Sequence, residues 1–162
     1  FYSSDYTGQF NRFTIIKGDA GITRTFFKIL NFKLQTEVGM AVGEESVHFL
    51  DFVLGGYGFN TINNFKHFYG YDFISISADS YIKTLATVDV EIFKKHHLNF
   101  SANYANAENK LYQTGNWLAT PTYSGYAVGY GLETIVGPIE LKYSWSPELP
   151  KGYVWFSFGF WF

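Results

Sequence analysis

The chain has no cysteine among its 162 residues. That absence excludes disulfides, thiolate metal sites and a cysteine nucleophile, and it is compatible with an oxidising periplasm. Charge is scarce too: Asp, Glu, Lys and Arg make up 16% of the chain, against roughly 25% in ordinary globular proteins. With a net charge of -2 and a pI near 6.1, the sequence offers no basic field for nucleic acid. No apolar run approaches the ~18 residues that a transmembrane helix needs. Proline is limited to 4 residues, whereas glycine reaches 16 and aromatics 22%, a mixture that favours long strands joined by glycine-containing turns. The chain opens Phe1-Tyr2-Ser3-Ser4 without Met or a signal peptide, so the expectation is a removed leader or the tail of a longer protein.

What is present is alternation. In the segment Ile139 to Ser146, Ile139, Leu141, Tyr143 and Trp145 share one parity, and Glu140, Lys142, Ser144 and Ser146 the other. A strand sends them to opposite faces. The last segment does the same: Val154, Phe156, Phe158, Phe160 and Phe162 oppose Tyr153, Trp155, Ser157, Gly159 and Trp161. On a soluble sheet edge such a phenylalanine face would promote aggregation, but against lipid it is acceptable. The mean hydropathy of -0.05 is no objection, because every second residue of a transmembrane barrel faces a polar interior.

The same period predicts strands over Gln9 to Ile22, Leu30 to Val42, Tyr81 to Ile92, Leu98 to Ala105, Tyr126 to Ile135, Ile139 to Ser146 and Tyr153 to Phe162, with Phe1 to Gly8 as the end of a loop. The first has mixed faces, since Phe13 and Ile15 share parity with Lys17 and Asp19, and a bulge would reconcile them. Residues 30–42 would cross a ~25 Å apolar band with some to spare at roughly 3.3 Å per residue and a tilt of about 40 degrees.

Connections alternate in length. Phe26 to Ile29, Phe93 to His97 and Val136 to Pro138 are short, whereas Gly43 to Ser75 and Asn106 to Ser124 are long and Pro147 to Gly152 is intermediate. Outer-membrane barrels have short periplasmic turns and long extracellular loops. A soluble sandwich or lipocalin-like barrel also alternates. Its outer surface, however, would carry about a quarter to a third charged residues, whereas each strand here has few, with Tyr126, Tyr143, Trp145 and Trp161 near strand ends as a girdle. The expected class is therefore all-β, an antiparallel transmembrane β-barrel. Residues 1–162 form one barrel region, with a long luminal or extracellular loop at about 43–75. Bacterial single-chain barrels have an even strand number. The predicted strands thus make either the C-terminal part of a larger barrel or, with one strand unrecognised, a self-contained eight-stranded one.

Lys33, Glu37, Lys83, Asp89, Glu91, Glu133, Glu140 and Lys142 share the parity expected to face the lumen. Pairing among themselves and with Lys66 or His67 of the insert would plug the interior; without pairing they hydrate it. No catalytic, cofactor or metal residues are expected. No serine sits in a Gly-x-Ser-x-Gly elbow. His96 and His97, read as part of a basic turn, would point to opposite faces on a strand. Glu44, Glu45 and Asp51 lack the spacing of a calcium loop, and Gly55-Gly56-Tyr57-Gly58 lacks the Gly-Lys-Ser/Thr of a phosphate loop.

Gly129-Tyr130-Gly131-Leu132 followed by Gly137-Pro138-Ile139-Glu140-Leu141-Lys142-Tyr143 resembles the last strands of the bacterial surface-antigen (BamA/TamA-like) superfamily. The insert, with Phe52-Val53-Leu54-Gly55-Gly56 and Phe68-Tyr69-Gly70-Tyr71-Asp72, is similar to that superfamily's sixth extracellular loop, which folds into the lumen and usually carries an Arg-Gly-aromatic tip. The resemblance covers nearly the whole chain. It implies the last seven strands of a sixteen-stranded barrel, with a luminal loop tip at Gly55, Gly56, Tyr69, Gly70 and Tyr71 and a C-terminal barrel signal at Phe158, Phe160 and Phe162. Two positions depart from the pattern: Tyr69 stands for the arginine and Asn103 for its acidic partner. The closing string Ser144-Trp145-Ser146-Pro147-Glu148 with Phe156 to Phe162 is most like the barrel of outer-membrane patatin-like phospholipases of Bacteroidota, Gram-negative bacteria. That likeness implies an outer-membrane module that anchors, and serves lipid to, an upstream periplasmic hydrolase domain. The alternative is an assembly or translocation barrel that works through strand-edge pairing. Implied partners are outer-membrane lipid, the barrel assembly machinery during biogenesis, the remaining strands of the same barrel, and a homodimer or membrane complex.

Overall fold

The computed structural model describes residues 2–4, 10–43, 51–58 and 64–159. In chain order the elements are β1 (Tyr2–Ser4), β2 (Phe10–Phe26), β3 (Leu30–Gly43), β4 (Phe52–Leu54), β5 (Phe65–Lys66), β6 (Ile76–Ala78), β7 (Ser80–Phe93), β8 (His96–Glu108), a short helix α1 (Leu111–Thr114), a 3-10 turn (Asn116–Leu118), β9 (Tyr123–Thr134), β10 (Gly137–Trp145) and β11 (Gly152–Phe158). One 8-stranded sheet runs β1-β2-β3-β7-β8-β9-β10-β11, antiparallel throughout. Its terminal strands are β1 and β11, so among the described residues the sheet is an open arc rather than a closed eight-stranded barrel.

Parity decides the faces, as the alternation predicts. From residue 13 of β2 through β9 the even-numbered side chains point outward and are mostly apolar, and the odd-numbered ones point inward. In β10 the inward set is Glu140, Lys142 and Ser144. Phe156 is 69% exposed while Lys83 is 1% exposed, the inverse of a soluble protein. That inversion is stable where the outer face meets hydrocarbon and the inner face meets polar partners. Two pairs of hydroxyls on the outer face satisfy each other across strands: Thr36 with Thr84 at 3.1 Å and Tyr104 with Tyr126 at 3.0 Å. Tyr104, Tyr126, Trp145 and Tyr143 form a continuous aromatic strip over β8, β9 and β10, with successive ring centroids 5.8 to 6.1 Å apart. This is a girdle at the end that carries the long loops. Trp161, Phe160 and Phe162 lie outside the described residues, and β11 is described as far as Phe158, on the outer face.

Several expectations need correction. β2 reaches Phe26 and stays in unbroken register with β3 from Phe13↔Gly43 to Phe26↔Leu30, so no bulge reconciles its faces. Phe13 and Ile15 share the inner face with Lys17 and Asp19 because that face meets two environments. Ile15 packs on an apolar cluster of Phe52, Leu54 and Phe68 that the insert brings into the lumen. The insert is not irregular: β4 pairs in parallel with β5 and antiparallel with β6 in a 3-stranded sheet, whose strands are too short to show a period. The loop before β9 contains α1 and the 3-10 turn, and β8 extends to Glu108. Tyr2–Ser4 belongs to the sheet, paired with Phe10–Arg12, rather than to a loop. His96 and His97 open β8 rather than sitting in the turn.

The insert touches side chains from β2 to β11. Asn64 bonds Lys17, Lys66 meets Glu37, Tyr69 meets Asn103 and Lys142, and Phe73 packs on Trp155 at 4.9 Å. A flat sheet would hold β2 and β11 about 30 Å apart at ~4.8 Å per strand, so the sheet must curve around the insert, which occupies the concave side. Phe156→Arg is expected to lower stability by about 2–4 kcal/mol, the cost of a cation near the bilayer midplane. Thr23→Glu, on the inner face opposite Lys33, should change it by less than about 1 kcal/mol. Reversible guanidinium unfolding in lipid vesicles measures both, and equal small effects would refute the outward apolar face.

Candidate functional site

The inner face holds a docked plug. Its anchor is the turn Tyr69-Gly70, which enters with Gly70 at φ 85 and lies directly on the barrel wall. A side chain at Gly70 would come 2.5 Å from the Trp145 carbonyl oxygen, and one at Gly125 would come 1.8 Å from the carbonyl oxygen of Tyr69. Gly125 is the register partner of Asn103, and together they form a notch. Into it the Tyr69 N–H donates to Asn103 Oδ1 at 2.8 Å, while Asn103 Nδ2 donates back to the Tyr69 carbonyl at 3.4 Å. An amide reads a peptide in both directions, which a carboxylate, lacking a donor, cannot do. The positions that depart from the superfamily pattern thus meet, but through the backbone of Tyr69. Gly55 N–H bonds Lys66 O and Gly56 N–H bonds Tyr71 O, both at 3.0 Å. Gly55, Gly56 and the buried Tyr69 and Tyr71 therefore belong to one folded unit, with Gly70 at its contact with the wall.

Charges on the wall are neutralised in two groups. Glu37 of β3 takes Lys83 of β7 at 2.9 Å and Lys66 of the insert at 3.3 Å, and Lys83 Nζ also donates to His67 O at 3.2 Å. In the second group Lys142 meets Glu140 at 3.0 Å, donates to the Tyr69 hydroxyl at 3.2 Å, and lies 4.8 Å from the Tyr57 ring centroid and 5.0 Å from that of Tyr69. Glu140 additionally accepts from the Tyr57 hydroxyl and from Asn99 Nδ2. A buried lysine is tolerated only with such partners, since losing one from a buried pair costs about 3–5 kcal/mol. Above them Glu148 accepts from Ser124 at 2.6 Å, Tyr71 at 3.1 Å and Ser146. Burial pushes its carboxyl up, but the hydroxyls of Ser124 and Ser146 outweigh that and hold it below the usual range.

The remaining charges lie toward the short turns. His97 Nδ1 is 2.9 Å from Asp89, and its Nε2 is 3.5 Å from Glu133. Glu91 accepts from the Lys95 N–H at 3.1 Å, and Lys33 faces the same space without an ion-pair partner among the described residues. A recess of about 430 Å³ between this end and the plug is lined by Asn31, Tyr57, Asp89, His97, Glu133 and Glu140, among others. His96 points the other way, to Tyr130. Among the described residues no group of three or more potential metal ligands comes together; Glu44 and Glu45 lie outside them. The inner face brings together Glu37 and Lys83 with the insert, and likewise Glu140 and Lys142, whereas Asp89 and Glu133 meet His97 of the wall, Glu91 meets the Lys95 backbone, and Lys33 acts on the insert through the charge it presents to His67. Sequence reasoning missed the Asn103–Gly125 notch, for which a glycine at an inward strand position directly before an aromatic girdle residue is the available signal.

His67 is the pH-sensitive element of the plug. Burial, and then the Lys83 ammonium, push its pKa down to about 3; Glu37, Lys142 and Lys33 also face it. The docked state therefore keeps a neutral imidazole, while the released insert takes up a proton near pH 6.5. Proton uptake by the released form means docking is fully favourable above about 6.5 and weakens as pH falls toward 3. Hydrogen-exchange protection of residues 66–71, corrected for intrinsic rates, should fall between pH 7 and pH 5, and His67→Gln should remove that dependence.

No curated protein matches the chain. Residues 1–162 match the family model described as the OMP85 superfamily. With the lipid-facing antiparallel arc and the insert seated on its inner face, this match places the chain in the OMP85 superfamily of outer-membrane β-barrel proteins.

Proposed function

We propose that the chain is the wall and plug of an outer-membrane barrel that anchors, and serves lipid to, an upstream periplasmic patatin-like phospholipase domain. The observation that carries the anchoring role is the seating of the insert. A turn held by backbone bonds to Asn103, with both buried lysines already paired with carboxylates, seats the insert against the concave face, which supports a plugged interior over an open path for an ion or chain. An anchor needs a stable outer face and a closed interior, and both are expensive to build unless they are used. The resemblance of the closing strands to barrels of patatin-like phospholipases supports the identity of the cargo, and hydrolysis is assigned to that upstream domain.

A second reading is favoured by β11, which is terminal in the sheet among the described residues and 7 residues long beside the 9 of β10. A short, weakly held edge suits pairing with a client strand, the mechanism of an assembly or translocation barrel. The sequence upstream of Phe1 separates the two: a Gly-x-Ser-x-Gly elbow supports the lipase, and a series of periplasmic adaptor domains supports assembly.

The full-length protein in planar bilayers is expected to show no discrete conductance steps, and Asn103→Ala combined with Gly125→Val should produce them by unseating the turn. In the same protein, replacing the elbow serine with alanine should abolish phospholipid hydrolysis without changing the heat-shifted gel mobility of the folded barrel. Open-channel steps in the unmodified protein, or lipid hydrolysis without an upstream elbow, would refute the proposal.

A further inference from the structure

The loop between β8 and β9 folds in the opposite direction from the plug. Asn106 is the register partner of Ile82 and shares the outward parity of Tyr104, yet it is buried. What buries it is the loop itself. Asn106 Nδ2 donates to Trp117 O at 3.3 Å and to Ala119 O at 3.1 Å, while its Oδ1 accepts from the Thr122 N–H at 2.8 Å and the Thr122 hydroxyl at 3.1 Å. One side chain thus holds the 3-10 turn as an overhang on the outer face. The base of the loop is pinned separately: Asp79 accepts from the Lys110 N–H at 2.7 Å, and Leu111 is fully buried.

Beneath the overhang is a recess of about 310 Å³ lined chiefly by Ile82, Thr84, Tyr104, Trp117, Leu118 and Pro121. This lies at the lower end of the ~300–1,000 Å³ typical of small-molecule sites. Its wall is the lipid-facing surface of β7 and β8, and its level is fixed by Tyr104, which is part of the aromatic girdle with Tyr126. The polar groups nearby are spent: Asn106 on the loop backbone, and Thr84 on Thr36. Leu118, at the lip, is 90% exposed. A single exposed leucine means little by itself; here it extends the apolar outer face across the girdle and onto the loop.

We propose that this recess holds a hydrocarbon chain of an outer-leaflet lipid, with Leu118 and Trp117 dipping into the bilayer beside it. Continuity decides the occupant. The recess opens onto the face that hydrocarbon already covers, so a lipid chain enters by sliding along the barrel wall, whereas a water-soluble ligand would have to cross the girdle. The lining is mostly apolar, and the side chains of Thr84, Tyr104 and Asn106 already have hydrogen-bond partners, which suits methylenes.

The test uses the full-length protein in nanodiscs of phosphatidylcholine brominated at the 6,7 positions of one chain. The Trp117 emission is the difference between wild type and Trp117→Phe, and the girdle reference is the difference between wild type and Trp145→Phe. Expected is quenching of Trp117 at least half as strong as that of Trp145. Thr84→Phe fills the recess from its lipid-facing wall, where a larger apolar side chain is compatible with folding; it should cut Trp117 quenching at least twofold and leave Trp145 unchanged. An unquenched Trp117 beside a quenched Trp145 overturns the proposal, as does Trp117 quenching that Thr84→Phe leaves intact. Loss of quenching at both positions would overturn the placement of this face in the membrane as well.

Discussion

A strand in hydrocarbon has nowhere to put its peptide groups except onto its neighbours. Everything in this arc follows from that constraint. Once the strands are paired edge to edge, each residue has one remaining choice, outward to lipid or inward to the lumen, and the period of two makes that choice for the whole strand at once. The outer face can then be as apolar as Val154, Phe156 and Phe158 make it. Any hydroxyl placed there needs a partner of its own, and Thr36 and Thr84 supply one to each other. The same pairing rule applies inside, with charge in place of hydroxyl: Lys83 is buried because Glu37 and the His67 carbonyl are arranged around it.

The plug is the less obvious consequence. A curved sheet of this size leaves a concavity that water would otherwise fill, and the chain fills it with its own insert. That choice changes what the wall must be. Opposite the apolar cluster of Phe52, Leu54 and Phe68 the wall is apolar, at Ile15; opposite Tyr57 and Tyr69 it carries Glu140 and Lys142. The inner face is thus patterned along its height by the insert and not by solvent.

This explains which parts of the structure could be read from the sequence. β3, β7, β10 and β11 alternate cleanly because their outer positions all answer to lipid, and the long and short connections follow from the two ends of a barrel. β2 misleads because its inner positions answer to the insert, whose contacts come from residues more than thirty positions away, as in the separation of 47 between Lys17 and Asn64. The three-stranded sheet of the insert is hidden for another reason: strands of 2 and 3 residues show no period, and their pairing is set by the lumen that encloses them. The Asn103 clamp is hidden because it binds a backbone, and a peptide group has no signature in a sequence.

That clamp also bears on how Tyr69 and Asn103 could stand where the resemblance implies an arginine and an acidic partner. An ion pair in a lumen depends on both members, since either alone is a desolvated charge, so a single replacement on either side is penalised. A neutral amide against a peptide has no such requirement, because every residue but proline at position 69 presents the same N–H and carbonyl. With Asn103 in the wall and Gly125 making room beside it, the tip side chain is released from holding the loop. Tyr69 uses that freedom, turning its ring onto Tyr57 at 6.0 Å and its hydroxyl to Lys142 at 3.2 Å. The attachment moves from side chain to backbone, and the side chain becomes part of the neutralising shell around a buried lysine.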